Sequence, residues 1–226
     1  MLHDGPEERA VVERAARDVI DLTQPPAVNL QRIADALGRP VQELTIFVLD
    51  RPRHANLIRE IRSIGARISL QTDGDVAGAL MAATPGSGID VLMGIGGAPE
   101  GVITAAAVKA LGGGMRARCA PQSDGERQRL MAELGAGWDQ ILTQDDLIRS
   151  EDAFFAATGI TDGALLEGVH YAGSQGVTTN SMMMRAKTGT VRYIKAIHQV
   201  DQLMKISQLN YQAGAAQSAT PALAVA

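Results

Sequence analysis

The sequence predicts an α/β fold: a parallel βαβ sheet with helices on both faces and an antiparallel extension. Two observations carry this expectation. Between residues 45 and 111, short apolar runs alternate with longer runs whose apolar residues recur at helical spacing. Asp, Gly or Pro marks each passage from apolar run to helical run, the punctuation of strand–turn–helix units. Such units connect right-handedly and cover a parallel sheet on both faces.

Each element follows in chain order. Asn29 to Leu37 reads as a short helix closed by Gly38 and Pro40. Thr45 to Asp50 reads as a strand. Arg53 to Ile64 reads as a helix with Leu57, Ile58, Ile61 and Ile64 on one face and Gly65 as its stop. Arg67 to Leu70 is the next strand, and Asp73 precedes a helical run with Val76, Leu80 and Ala83 together. Pro85-Gly86-Ser87-Gly88 breaks that run, Ile89 to Met93 forms a third strand, and Glu100 to Leu111 a third helix. Met115 to Cys119 suggests another strand and Gly125 to Leu134 another helix. Asp152 to Ala157, His170 to Ala172, Val177 to Arg185 and Thr190 to Ile194 are strand-like runs between Gly-rich turns, which supply the antiparallel extension. A single α/β domain over residues 1–212 and a disordered, charge-free tail over 213–226 are the expected organisation, with no internal repeat.

Composition narrows the function classes. The chain has 226 residues, 46% hydrophobic but only 3% aromatic, so its core is built from Ala, Val, Ile, Leu and Met. A net charge of −4 and a pI of about 5.6 leave no basic field for nucleic acid or an anionic membrane. Cys119 is the one cysteine, which excludes an internal disulfide and suits a reducing cytoplasm. The acidic opening "MLHDGPEERA" has no apolar region of a secretory signal, and no unbroken apolar stretch is long enough to span a membrane.

Three strand-to-helix junctions carry the chemistry: "DRPRH" at 50–54, "QTDGDVAG" at 71–78 and "GIGGAPEG" at 94–101. In a parallel sheet all three fall at the C-terminal ends of strands, the edge where open α/β sheets bind ligands. Arg51 and Arg53 are either surface arginines flanking a helix-starting proline or a phosphate clamp, since the guanidinium fork matches phosphate oxygens. Asp73 is a plausible N-cap, but a second acid, Asp75, across Gly74 suggests sugar hydroxyls or a divalent cation. "GIGGAPEG" fails the dinucleotide fingerprint, because Pro99 stands where Gly or Ala is needed, and it fails the Walker pattern for want of Lys-Ser/Thr. It reads as a tight glycine turn that admits a ligand to the backbone, with Pro99 pre-setting the helix and Glu100 in its first turn. "ATGITDG" at 157–163 and "KTGTV" at 187–191 read as structural turns, the latter of a hairpin. His54 lies beside Arg53, within sight of a ligand there, whereas His3, His170 and His198 have no ligand-type spacing, and Cys119 reads as packing rather than nucleophile.

Together "VLDRPRH", "DGDVAGAL", "DVLMGIGGAPEGVITAAAVKALGG", "FFAATGITDG" and "MMMRAKTGTVRYI" resemble class II (GlpX-type) fructose-1,6-bisphosphatase, including bifunctional fructose-/sedoheptulose-bisphosphatases, from about Asp18 to about Ile197. The resemblance implies a sugar-phosphatase-like fold and metal-dependent hydrolysis of the 1-phosphate of fructose 1,6-bisphosphate, in gluconeogenesis or the Calvin cycle. It implies that Arg51, Pro52, Arg53, Asp73, Gly74, Asp75 and Gly97 contact the bisphosphate, and that Glu100 is a ligand of Mn²⁺ or Mg²⁺. The family's acidic Asp-Pro-(hydrophobic)-Glu-Gly-Thr block is absent from these 226 residues, so the chain is read as the C-terminal portion of such an enzyme, lacking its N-terminal half. The competing expectation is a non-catalytic sugar-phosphate-binding or subunit-interaction module. Apolar surface left uncovered would drive a homo-oligomer.

Overall fold

The computed structural model describes residues 5–171 and 176–206. His3, Ala172 and the tail expected from 213 lie outside the described residues. Contacts divide the chain into two compact units, Met1–Phe155 with Met184–Val191, and Ala156–Met183 with Arg192–Ala226.

The first unit carries a six-stranded sheet. Its strands are β1 (Pro6–Val12), β2 (Thr45–Leu49), β3 (Arg67–Gln71), β4 (Val91–Gly97), β5 (Gly114–Cys119) and β6 (Leu142–Thr143), in the spatial order β3-β2-β4-β1-β5-β6. β2 pairs parallel with β3 and β4, in the βαβ arrangement the alternating pattern predicts. The helices are α1 (Pro26–Leu37), α2 (Ala55–Ser63), α3 (Asp75–Ala82), α4 (Ala98–Leu111), α5 (Asp124–Leu134) and α6 (Gln144–Leu147).

Two apolar clusters show the helices on both faces. Leu30, Ile33, Ile58 and Ile61 of α1 and α2 pack with Ala10, Val12, Ile46, Val48, Val91 and Met93. Ala79, Ala82, Ala105 and Val108 of α3 and α4 pack with Val11, Phe47, Leu92, Met115 and Ala117. Alternation along each strand sends consecutive residues to opposite faces, which is why Val11 and Val12 belong to different clusters. Full burial of each Leu or Ile contributes about 1.5–3 kcal/mol. On the α3 side, Gly78 has no room for a side chain: a Cβ there would stand 2.6 Å from the Phe47 ring. On the α1 side, Glu60 of α2 accepts the Ala27 backbone N–H at 3.0 Å, a cap supplied across the helix pair. Asn29, buried, is held by the Asp21 N–H and by the Asp21 and Gln24 carbonyls.

The sheet differs from expectation in three ways. β1 was not anticipated, because two Glu and one Arg make it read as polar, yet it lies inside the sheet and pairs antiparallel with both β4 and β5. The third βαβ unit therefore crosses over an inserted strand, and the sheet is mixed. Second, β4 runs on through Gly97, paired with β1 as far as Pro6↔Gly97. The run "GIGG" is strand, not turn. Third, the antiparallel strands β7 (Phe154–Thr158), β8 (His170–Tyr171), β9 (Val177–Arg185) and β10 (Thr190–His198) form a sheet of their own in the order β10-β9-β7, with β8 paired to β9. β6 is only two residues long and passes straight into a helix, so it offers no ladder to extend, whereas β9 and β10 are nine residues each and pair through a tight turn at 186–189. That turn is the hairpin read from "KTGTV", closed by Gly189.

Within the second unit, the Thr158 and Ser181 hydroxyls lie 2.8 Å apart and the Gly159 N–H donates to the Asn180 carbonyl at 2.9 Å. Val177 and Met182 are the buried apolar residues among its described ones, and α7 (Val200–Ile206) ends the described chain.

Candidate functional site

Because β2, β3 and β4 are parallel, their C-terminal ends share one edge of the sheet, and the three junctions meet there. From β2 the chain enters a 3-10 turn, Pro52–His54, before α2. Arg51, Pro52 and Arg53 are exposed on it, and the Arg53 Nε donates to the Ile95 carbonyl at 2.9 Å. From β3 the chain passes through exposed Asp73 and Gly74 into α3. The N-cap of α3 is Gly74 rather than Asp73, with φ +84 and open space around it, so conformation and not crowding calls for glycine. Asp75, half-buried, is the first helical residue. From β4 the chain passes through Gly97, the N-cap of α4, and Glu100 lies exposed in the first turn after Pro99.

The glycines of "GIGGAPEG" make room for the protein's own polar side chains. A Cβ at Gly94 would meet the His54 ring at 3.1 Å. One at Gly96 would collide with the Arg9 guanidinium and stand 2.8 Å from Asp75 Oδ2. At Gly97 it would strike the Glu100 carboxylate, and at Gly101 the carboxylate of Glu7. The glycine run is therefore a strand against which a histidine, an arginine and acids are packed closely.

Two of those residues were missed in the sequence. Alternation along β1 sends Glu7 and Arg9 to the same face as Val11. Both are buried, at 5% and 2% exposure. The Arg9 Nη2 donates to the Gly97 carbonyl at 2.6 Å. Its Nη1 lies 3.7 Å from the Asp75 carboxylate, and its Nε 3.8 Å from Glu7. The ion pairs are too long for hydrogen bonds, and Glu7 Oε1 and Arg9 Nη1 have no hydrogen-bond partner. Burial pushes the Glu7 carboxyl up to about 7, partly countered by Arg9. The spacing Glu-x-Arg-x-Val was the available signal, a charged pair in phase with an apolar residue.

His54, buried at 2% exposure, ties the first junction to the third. Its Nε2 accepts the Ile95 N–H at 2.8 Å, so its proton sits on Nδ1, which donates to the Leu49 carbonyl at 2.7 Å. Burial and, less strongly, the neighbouring Arg53 hold its pKa below the usual imidazole value, against the pull of the Leu49 carbonyl on Nδ1–H. Arg53 and His54 thus occupy both backbone polar groups of Ile95.

No group of three or more His, Cys, Asp or Glu able to hold a metal ion occurs among the described residues. Glu100 stands at the α4 N-terminus without such a cluster, so this part of the edge does not by itself fit a divalent cation. No helix among the described residues is long and apolar enough to cross a membrane.

Comparison with known proteins finds one family along most of the chain. The family model for bacterial fructose-1,6-bisphosphatase, glpX-encoded, matches residues 5–198. A Haemophilus influenzae protein named fructose-1,6-bisphosphatase class 2 is 41% identical over 211 residues, 88% of this chain and 63% of that protein. The Escherichia coli K12 protein named fructose-1,6-bisphosphatase 1 class 2 is 40% identical over 206 residues, 86% of this chain and 61% of the relative. The chain thus spans a little over three-fifths of the length of the relatives it matches.

Proposed function

Since the chain belongs to the glpX-encoded bacterial fructose-1,6-bisphosphatase family, we propose that it acts in a class 2 fructose-1,6-bisphosphatase, a phosphoric monoester hydrolase that removes the 1-phosphate of fructose 1,6-bisphosphate. The observation that carries this reading is the shared edge, where Arg53 is anchored on Ile95 and the α3 and α4 N-termini open beside it. Helix N-termini present unpaired N–H groups and a favourable dipole to phosphate, and an arginine fork adds charge-assisted bonds.

In this reading Arg51 and Arg53 hold one phosphate, with Pro52 keeping the turn rigid. The backbone at Gly74 and Gly97 approaches the other groups of the sugar bisphosphate, and Asp73 and Asp75 accept from its hydroxyls. Glu100 is the residue that would ligate Mn²⁺ or Mg²⁺, but with no carboxylate cluster among the described residues no step is assigned to a cation. Use in gluconeogenesis, or in the Calvin cycle with sedoheptulose 1,7-bisphosphate as a second substrate, belongs to the same reading, as does a cytoplasmic location.

A second reading, a sugar-phosphate-binding or subunit-interaction module without turnover, is favoured by that lone Glu100. Two measurements on the chain separate them. Calorimetry with fructose 1,6-bisphosphate should show saturable binding that Arg53→Ala weakens by more than about 1 kcal/mol, the scale of a lost charge-assisted bond. Phosphate release with Mn²⁺ that disappears in Glu100→Gln supports the hydrolase. Binding without release supports the sugar-phosphate-binding module, and no saturable binding refutes that module and the clamp role of Arg53 and leaves the subunit-interaction role.

A further inference from the structure

We infer that Arg9 is a positioning residue that locks the "DGD" and "GIGG" junctions to each other, so that Asp75 and Gly97 are set as one unit. Its functional consequence rests on the sugar-bisphosphate reading above, but its structural content does not.

The side chain is 2% exposed and rises from β1, which is hydrogen-bonded on both sides, to β4 and to β5. It therefore starts from a fixed point. From there the guanidinium reaches two different elements. Its Nη2 donates to the carbonyl of Gly97, the N-cap of α4, at 2.6 Å. Its Nη1 faces the carboxylate of Asp75, the first residue of α3, at 3.7 Å. Gly96 leaves the space for this crossing, because a Cβ there would collide with the guanidinium and crowd Asp75.

A lysine would make one such contact. The planar fork of arginine hydrogen-bonds the Gly97 carbonyl with one arm while the other faces the Asp75 carboxylate at ion-pair range. The cavity lined by Arg9, His54, Asp75 and Gly96 holds about 10 Å³, no more than one water. With its side chain 2% exposed, Arg9 is closed to a sugar phosphate and acts through Gly97 and Asp75. A buried cation close to two helix N-termini is electrostatically disfavoured and is offset here by Asp75 and, at longer range, by Glu7. An apolar side chain would fill that volume without the penalty, so what arginine adds is the link between the junctions.

The test is backbone amide hydrogen exchange, followed by mass spectrometry on the full chain, with fructose 1,6-bisphosphate titrated in parallel. Arg9→Met should speed exchange at least tenfold in segments 73–79 and 94–101 together, while 45–49 and 55–63 stay as in the wild type. Arg9→Lys should leave one of the two segments protected. Fructose 1,6-bisphosphate should bind Arg9→Met at least tenfold more weakly. Loosening of only one segment in Arg9→Met, of neither, or of 45–49 as well would overturn the link. Should Arg9→Met fail to fold, Arg9→Lys decides, and wild-type protection of both segments in it would overturn the two-pronged role. If the wild type binds no fructose 1,6-bisphosphate, the sugar-bisphosphate reading fails while the exchange pattern still decides the link.

Discussion

The His54 Nε2 accepts the backbone N–H of Ile95 at 2.8 Å, from 41 residues away in sequence. β2 pairs with β4 at Ile46↔Val91 and Phe47↔Leu92. The side chains of His54 and Arg53 take up the N–H and carbonyl of Ile95 farther along the strand, so side chains serve a ladder position that would otherwise be left to solvent or orphaned.

Removing that bond should be expensive. His54→Ala leaves the Ile95 N–H without a partner, while the Leu49 carbonyl keeps the Arg51 N–H at 2.9 Å, and we expect a loss of about 1–3 kcal/mol, the cost of one orphaned group. Urea denaturation at pH 8 measures it, and an unchanged midpoint would refute the role.

Acid should act through the same residue. Burial lowers the pKa of His54, so the folded state favours the neutral ring that accepts from Ile95. Its contribution is fully present above the unfolded value of 6.5 and is lost as pH falls through the lower folded value. Denaturation midpoints taken from pH 8 downward should drop less steeply in His54→Ala than in the wild type once pH passes below 6.5.

Glu7 has the opposite sign. Its carboxyl is raised from 4.5 to about 7, so between those values the folded chain keeps a proton that the unfolded chain releases. Its contribution therefore declines as pH rises through that window. Glu7→Gln removes the titration and should be more stable than the wild type at pH 8, by on the order of 3–4 kcal/mol given about 1.4 kcal/mol per unit, with the gain vanishing toward pH 4. A gain of equal size at both pH values would show that packing, not charge, is responsible.

A pair of glycine substitutions tests the crowding at β4. Gly96→Ala drives a methyl against Arg9 and Asp75 and should destabilise by about 1–3 kcal/mol, as overpacking does. Gly125→Ala, in α5 with open space around it, should stabilise by up to about 1 kcal/mol. Thermal melts of both variants are the measurement, and equal shifts would refute the contrast.

Self-association is expected from the second unit. Tyr193 and Ile197 lie on one face of edge strand β10 at 68% and 70% exposure, and Ile160 is 75% exposed. Bare apolar area at about 25 cal/mol per Å² favours a dimer or larger assembly. Light scattering of the wild type should exceed the 23.8 kDa of one chain, and Tyr193→Lys with Ile197→Lys should return it there.

The sequence by itself determined the local pattern and its edge. Helical periodicity located α2, α3 and α4, Gly and Asp marked the junctions, and the parallel order placed "DRPRH", "DGD" and "GIGG" together, because these signals act within a turn or two of the chain. Only the tertiary structure decided what the glycines are for. Nothing local marks Glu7 and Arg9 as buried, since nothing local says that residues 6–12 slide between β4 and β5. Burial in a sheet interior depends on partners 80 or more residues away, and side-chain spacing along one strand cannot report the strand beside it. Once β1 is in place, the sterics follow. Gly94 yields to His54, Gly96 to Arg9 and Asp75, and Gly101 to Glu7, because a Cβ at any of these positions would occupy space those polar side chains need.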